Sequence, residues 1–443
     1  MNMSSIYCTF LVAILLVTYP SVAGSGPEVV WKFPTDRCVT TSPVIYGTMV
    51  LFGSRNHFVY CLNAETGDII WKFRTQGQVD STPRIYEGKV YIGGRDDFVY
   101  CLDLDTGEEI WSFQTGNDVP GTPAVSSGKV YIGSKDAYLY CLDADTGELI
   151  WNFQAGDYVF SSPAVYDGKV VFGSLDQHVY CLDTETGDVT WKFYTEDKVY
   201  ASPLIEDEKV YIGSWDDYMY CFDLSTGDVI WKYKTGHNLY SSATIYRGKM
   251  YFGSVDYNVY CLNADTGRFV WRFFTQNFVT SSPTVQDDRV YVGSVDFNFY
   301  CLDYKTGKEL WRFSASGDIE CKAAVTDTYI YFTSCDGHLY CLERELSVIT
   351  VTSSPEGSDV YIDGEYQGKT PLETSVPPDE YIVTVESSTD VESKKIVLEK
   401  DEIEEVVFDF KSEKKRDYTL PIVLIIFVVG FSGIYWGYRK KYR

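Results

Sequence analysis

The sequence predicts an all-β chain: an eight-bladed β-propeller, then a second small β domain of sandwich-like type, then one C-terminal transmembrane helix. Three observations carry this. Trp31, Trp71, Trp111, Trp151, Trp191, Trp231, Trp271 and Trp311 recur every 40 residues, and the pair Tyr-Cys recurs with the same period from 60–61 to 340–341. Self-similarity of that length in a strand-rich sequence is the mark of a propeller with about one four-stranded blade per repeat. Tyr (37), Phe (25) and Trp (10), with 35 Gly and only 5 Met, suit strands joined by tight turns far better than helices. Near the C-terminus, Thr419 to Trp436 is almost uninterruptedly apolar, about the length that crosses a hydrocarbon core of ~30 Å.

The third repeat shows how a blade is written. Thr122 to Val125 is a short inner strand, Ser127-Gly128 a two-residue turn, and Lys129 to Gly133 its antiparallel partner. Ala137 to Asp143 forms the third strand, Asp145-Thr146-Gly147 a turn, and Leu149 to Gln154 the outer strand. The eighth repeat, Cys321 to Glu345, ends after its third strand. Glu28 to Phe33, carrying Trp31, is expected to supply the fourth and close a ring over residues 28–345, leaving no open seam.

The segment Cys61-x-Asn63-x-x-Thr66-Gly67-x-x-x-Trp71 recurs seven times and resembles the tryptophan-docking motif of PQQ-like, quinoprotein-type propellers, with Cys where that family usually has Ala. The resemblance implies that each Trp packs against the turn of the neighbouring blade. It also raises a quinone (PQQ)-dependent oxidoreductase with an atypical site as the alternative function. Such enzymes hold the quinone beneath a disulfide between adjacent cysteines, with a calcium ion and an Asp base on inserted loops. This sequence has no adjacent Cys pair and no insertion in its repeats, so no catalytic, cofactor-binding or metal-binding residue is assigned and no cofactor is expected.

From Ser347 the 40-residue pattern stops. Residues 348–410 read as short strands, at Ile349 to Thr352, Asp359 to Asp363, Tyr381 to Glu386, Lys395 to Leu398 and Val406 to Phe410. Pro355-Glu356-Gly357-Ser358, Val360 to Gly364 and Gly368-Lys369-Thr370-Pro371-Leu372 resemble the PEGA domain, with Ser358 in place of Ala. That resemblance implies a spacer or surface-contact module.

Residues 1–23 read as a signal peptide, with an apolar stretch from Tyr7 to Tyr19 and small residues at Ser21-Val22-Ala23. Residues 411–418 then form a juxtamembrane linker, 419–436 the span and 437–443 a basic cytoplasmic tail. The propeller and PEGA-like domain are expected outside the cell, on a single-pass cell-membrane protein. This combination resembles archaeal cell-surface proteins, and at the level of fold the non-catalytic propeller subunit of the bacterial outer-membrane barrel-assembly machinery.

Lys plus Arg number 38 against 63 Asp plus Glu, a formal charge of −25, which repels phosphate backbones and argues against nucleic acid. Asp recurs at 96, 136, 176, 216, 256, 296 and 336, a pattern that Asp-turn chemistry explains better than a ring of cation ligands. The residue before it varies: Arg55, Arg95 and Lys135 form a basic arc, and Leu175, Trp215, Val255 and Val295 an apolar one. Phe160, Tyr200, Tyr240 and Phe278 in neighbouring loops extend the apolar side. Exposed Trp and Tyr beside Arg are the residue types that dominate interfaces. The sequence therefore points to a non-catalytic scaffold that binds an envelope protein or surface glycan through one face.

The eight repeat cysteines are expected to be reduced, because equivalent points on stacked sheets lie ~10 Å apart. Cys38, Cys321 and Cys335 map together near the ring closure. Pairing Thr326 with Tyr329 sets Cys321 opposite Ser334, so a Cys321–Cys335 disulfide is expected, with Cys38 near enough to compete. The inner strands carry hydroxyls at 42, 82, 122, 162, 202, 242 and 282, with Lys322 in the eighth blade and Arg84 in the second. Those two cations either hold an anion or offset surrounding acidity.

Overall fold

The computed structural model describes residues 26–388, 390–398 and 402–410. The expected signal peptide, linker, span and tail lie outside the described residues, among which no helix is long and apolar enough to cross a membrane.

Eight four-stranded antiparallel sheets form the propeller. Blade 3 is typical: Ala124–Ser126, Lys129–Gly133, Tyr138–Asp143 and Leu149–Gln154, paired in sequence order. Its two middle strands are buried on both faces, and its outer strand alternates between exposed and covered residues. That difference explains why the middle strands read as continuous apolar runs while the outer strand alternates. In blade 8, Ala324–Val325, Tyr329–Ser334 and His338–Glu343 are completed by Val29–Pro34 from the other end of the chain. The ring thus closes by antiparallel pairing of Trp31 with Cys341 and Phe33 with Leu339.

The repeat cysteines face the tryptophans across the two outermost strands, as in Cys61 opposite Trp71 and Cys141 opposite Trp151. They are buried free thiols, and desolvation pushes Cys141 and Cys181 up to about 12. The indoles of Trp31, Trp71, Trp111, Trp151, Trp191, Trp231 and Trp271 cross the seam to the next blade. Trp111 Nε1 donates to the Ala144 carbonyl at 3.1 Å, and its ring lies where a Cβ on Gly147 would fall 2.6 Å from Cδ2. Gly147 has φ of +73°, so the Thr-Gly turn needs glycine both for backbone conformation and for room. Trp71 repeats the arrangement on Leu104 and Gly107.

The eighth repeat lacks this turn, and the second domain covers the place. Residues 347–409 form two packed sheets: Leu372–Val376, Ser347–Ser354 and Ile403–Asp409 in one, and Glu365–Lys369, Asp359–Ile362, Glu380–Glu386 and Val391–Val397 in the other. Ile349, Val351, Val360, Val383, Val385 and Phe408 fill the space between them. Glu365–Lys369 and Leu372–Val376 are missing from the sequence-based reading because they are polar, largely exposed edge strands. Pro377 and Pro378 share a small cavity with Trp311 and Tyr291. Arg289, with a side chain only 7% exposed, donates from Nη2 to the Pro378 carbonyl (3.0 Å) and to Asp379 (3.2 Å). Arg247 bridges Asp288 of the propeller (2.8 Å) and Glu365 of the small domain.

Arg247, Asp288 and Arg289 belong to the turn between the first two strands of their blades. The inner strand begins at the opposite face, so the small domain and the loops at 38–41 and 55–57, with their counterparts in the other repeats, lie on opposite faces.

Candidate functional site

On the face away from the small domain, the backbone is held by one recurring device. Asp136 Oδ2 accepts from the Tyr140 hydroxyl (2.7 Å) and from Gly116 N–H (2.6 Å), and its Oδ1 accepts from Tyr138 N–H (3.0 Å). Asp176, Asp216, Asp256 and Asp296 repeat the bond to a tyrosine hydroxyl. These carboxylates tie each turn to its own strand and to the inter-blade loop.

On this frame, Trp215 of the apolar arc gathers with Phe160, Tyr200 and Tyr240 into a ring cluster, whereas Leu175 is buried. Tyr200 stacks on Trp215 with centroids 4.3 Å apart and planes 18° from parallel, and Tyr240 meets Trp215 edge-on at 4.9 Å. Phe160 packs against Tyr200 at 5.2 Å. The Lys198 ammonium sits 5.7 Å from the Trp215 ring centroid. Phe160, Tyr200 and Trp215 are half-buried and Tyr240 is exposed, so the cluster presents an outer surface while its members fix one another's rotamers. Burial first, then Tyr200 and Glu320, pushes the Tyr240 hydroxyl up to about 12.

Phe278 stands apart from this cluster. It stacks on Tyr257 at 5.5 Å, and Tyr257 meets Phe274 at 6.2 Å. Tyr257 and Phe297 occupy left-handed backbone, with φ of +72° at both, where the first five blades carry His57, Asp97, Ala137, Gln177 and Asp217. Bulky aromatics are disfavoured there, and both side chains remain exposed. Tyr257, Phe274 and Phe297 escaped the sequence reading. For Tyr257 and Phe297 the available signal was the switch from small or polar residues to an aromatic at that turn position.

The basic arc does not stand free. Arg55 Nε and Arg95 Nη2 converge on the two oxygens of Asp80, the first at 2.8 Å, and Thr40 Oγ1 adds a third donor at 3.1 Å. Lys135 pairs with Asp118 at 2.8 Å. The carboxylates come from loops 15 to 25 residues away, so a linear reading of the arc overstated its charge. Glu320, beside this group, is held above the usual carboxylate range by burial first and then by Asp318, with Arg55 opposing.

The expected Cys321–Cys335 disulfide is corrected by the structure, which bonds Cys335 to Cys38. Val39 N–H donates to the Ser334 carbonyl at 3.3 Å, and this places the adjacent Cys38 and Cys335 side by side. Cys321 points inward. Its Sγ accepts from Thr333 N–H (3.2 Å) and donates to Thr333 O (3.4 Å), as Thr41 Oγ1 does with Gly53 in blade 1. Cys321 thus takes the place that Thr41 holds in blade 1, one residue before the register of Lys322.

Comparison with known proteins follows the same division. A family model described as "Beta-alanine-activating enzyme, beta-propeller" matches residues 35–289, a PEGA domain model matches 346–408, and a model described as "Outer membrane protein assembly factor BamB" matches 255–346. No curated protein sequence matches. Among solved structures, BamB from Moraxella catarrhalis is 19% identical over 72% of this chain and 99% of its own, with a TM-score of 0.62. The computationally designed Ika8 protein is 18% identical over 72% of this chain and 100% of its own, at 0.66. The quinohemoprotein alcohol dehydrogenase ADHIIG from Pseudomonas putida HK5 is 14% identical over 71% of this chain and 76% of its own, at 0.61. At such identities these structures share the fold with this chain.

The residues of this face do not fit a quinone with its calcium. The recurring Asp carboxylates are engaged by tyrosine hydroxyls and backbone amides, and the disulfide joins residues 297 apart instead of adjacent cysteines. Among the described residues, no three His, Cys, Asp or Glu side chains are grouped as metal ligands.

Proposed function

This chain belongs to the β-propeller family described from the beta-alanine-activating enzyme, and on that premise we propose that it is a non-catalytic cell-surface scaffold. It binds an envelope protein or surface glycan through the face bearing Phe160, Tyr200, Trp215 and Tyr240. The ring cluster of these four residues carries the reading: amphipathic aromatics are held rigid on the face opposite the docked PEGA domain. Rigid aromatics lose little entropy on binding and supply the anchors of most interfaces. A relative named as an outer membrane protein assembly factor is in keeping with a propeller that works through protein partners. In this reading the span at 419–436 anchors the chain on the PEGA side and the aromatic face looks outward.

The test is crosslinking on native membranes followed by mass spectrometry, repeated with Trp215→Ala and Tyr240→Ala. Crosslinks that centre on this face and vanish in both variants support the scaffold. Crosslinks unchanged in the variants refute the assigned face. A quinone absorbance and dye-linked activity after addition of calcium and PQQ would refute the non-catalytic reading.

A further inference from the structure

The axial channel, about 890 Å³ in volume, is lined by the inner strands of the blades. Its chemistry is one-sided. Lys322 N–H donates to Ser42 Oγ, Ser42 N–H to Thr82 Oγ1, Thr122 N–H to Ser162 Oγ and Ser162 N–H to Ser202 Oγ, all between 2.8 and 3.0 Å. A hydroxyl that accepts in this way still has its own proton to donate. Three of the carbonyls on this wall already accept: Pro123 O from Arg84 Nε, Pro283 O from Thr244 Oγ1 and Ala323 O from Thr284 Oγ1.

Two cations enter the same space, Arg84 from blade 2 and Lys322 from blade 8, the latter reaching Thr244 Oγ1 of blade 6 at 3.2 Å. No Asp or Glu is among the lining residues, although the chain as a whole carries 63 of them against 38 Lys and Arg. The two cations therefore do not offset local acidity. Both are open to the channel yet surrounded by protein, and desolvation alone lowers both. A cation without a counter-charge in partly desolvated surroundings is costly. A lining with cations and hydroxyls but no carboxylate favours an anion.

We propose that this channel binds a small, doubly charged oxyanion, drawn by Arg84 and Lys322 on its wall, with the inner-strand hydroxyls as further donors. A guanidinium fork takes two oxygens of a phosphate, sulfate or carboxylate, and an ammonium supplies a compact point charge. Inorganic phosphate and a short dicarboxylate share this chemistry. The site is separate from the aromatic face and stands whether or not that face binds a partner.

Titration calorimetry on the purified full chain with phosphate, sulfate or succinate, in chloride buffer, tests it. At least one probe should saturate a single site per chain. Stronger binding of succinate than of phosphate assigns the site to dicarboxylates, and the reverse order to inorganic oxyanions. Arg84→Gln and Lys322→Gln should each weaken binding about tenfold or more, as removal of a charged hydrogen-bond donor does. Lys322→Arg, which keeps the charge, should retain it and covers the case in which a glutamine variant fails to fold. Absence of saturable binding by all three probes at millimolar concentration overturns the proposal. So does binding that the folded Arg84→Gln and Lys322→Gln chains retain in full.

Discussion

Cys38, in the segment leading into the first blade, is bonded to Cys335 of the last blade, 297 residues further along the chain. The bond lies beside the Val39–Ser334 hydrogen bond, where the N-terminal strand is paired onto blade 8. Ring closure is thus made twice, once by a strand and once by a covalent link.

Breaking that link should be costly because it closes a very long loop. Cys38→Ser is expected to lower unfolding free energy by about 2–5 kcal/mol, in a denaturant titration where reductant destabilises the wild type but not the variant. Cys321→Ser should change stability far less, since a hydroxyl can make both bonds to Thr333. Alkylation without reductant followed by intact-mass analysis should leave Cys38 and Cys335 unmodified.

The inter-blade tryptophans give a second expectation. Trp111→Ala removes a buried ring and its bond to Ala144, and should cost about 3–5 kcal/mol in the same titration. Gly147→Ala should also destabilise, by about 1–3 kcal/mol, because it forces alanine into left-handed backbone against the Trp111 ring. Ala at Gly128, with the same sign of φ but nothing within 4 Å, should cost less, so the difference isolates the indole contact.

Glu320 provides a pH test. Burial holds its folded-state pKa above that of the unfolded chain, so its ionised form weakens the fold at neutral pH, and the penalty disappears as pH falls through the raised value. Glu320→Gln is therefore expected to raise the melting temperature at pH 7 and to lose that advantage as pH falls through the raised value. Melts recorded across that range decide it. An unchanged difference between variant and wild type at both ends would show that the carboxylate is not penalised by burial.

Arg289 holds the PEGA domain in place. Arg289→Ala leaves the Pro378 carbonyl and Asp379 without their donor and uncovers the Trp311 side of blade 8. Hydrogen exchange should rise at Asp379 and Glu380 and around Trp311 while blades 2–5 stay protected. Limited proteolysis should then cut the connection near 345–347 faster than in the wild type.

Much of the architecture was legible in the residues. The 40-residue spacing of Trp and of Tyr-Cys assigned eight blades, and the truncated eighth repeat, with Trp31 upstream, predicted the closure that Val29–Pro34 makes. Burial of the middle strands leaves so strong an apolar signature that no tertiary knowledge was needed. The polar edges Glu365–Lys369 and Leu372–Val376 were missed because an exposed edge strand lacks that signature.

At the site, the sequence identified which positions vary but not what each side chain meets. Phe160, Tyr200, Trp215 and Tyr240 do converge, whereas Phe278 joins Tyr257, and Arg55 and Arg95 close on Asp80. Period and composition, which are local, determined the number of blades, the closing strand and the buried, reduced state expected of the repeat cysteines. The disulfide partner of Cys335, the neutralised arc, the docked PEGA domain and the carboxylate-free channel were decided by tertiary structure. Each depends on side chains from different blades meeting around an axis, and their separation in the chain does not encode the direction in which they point.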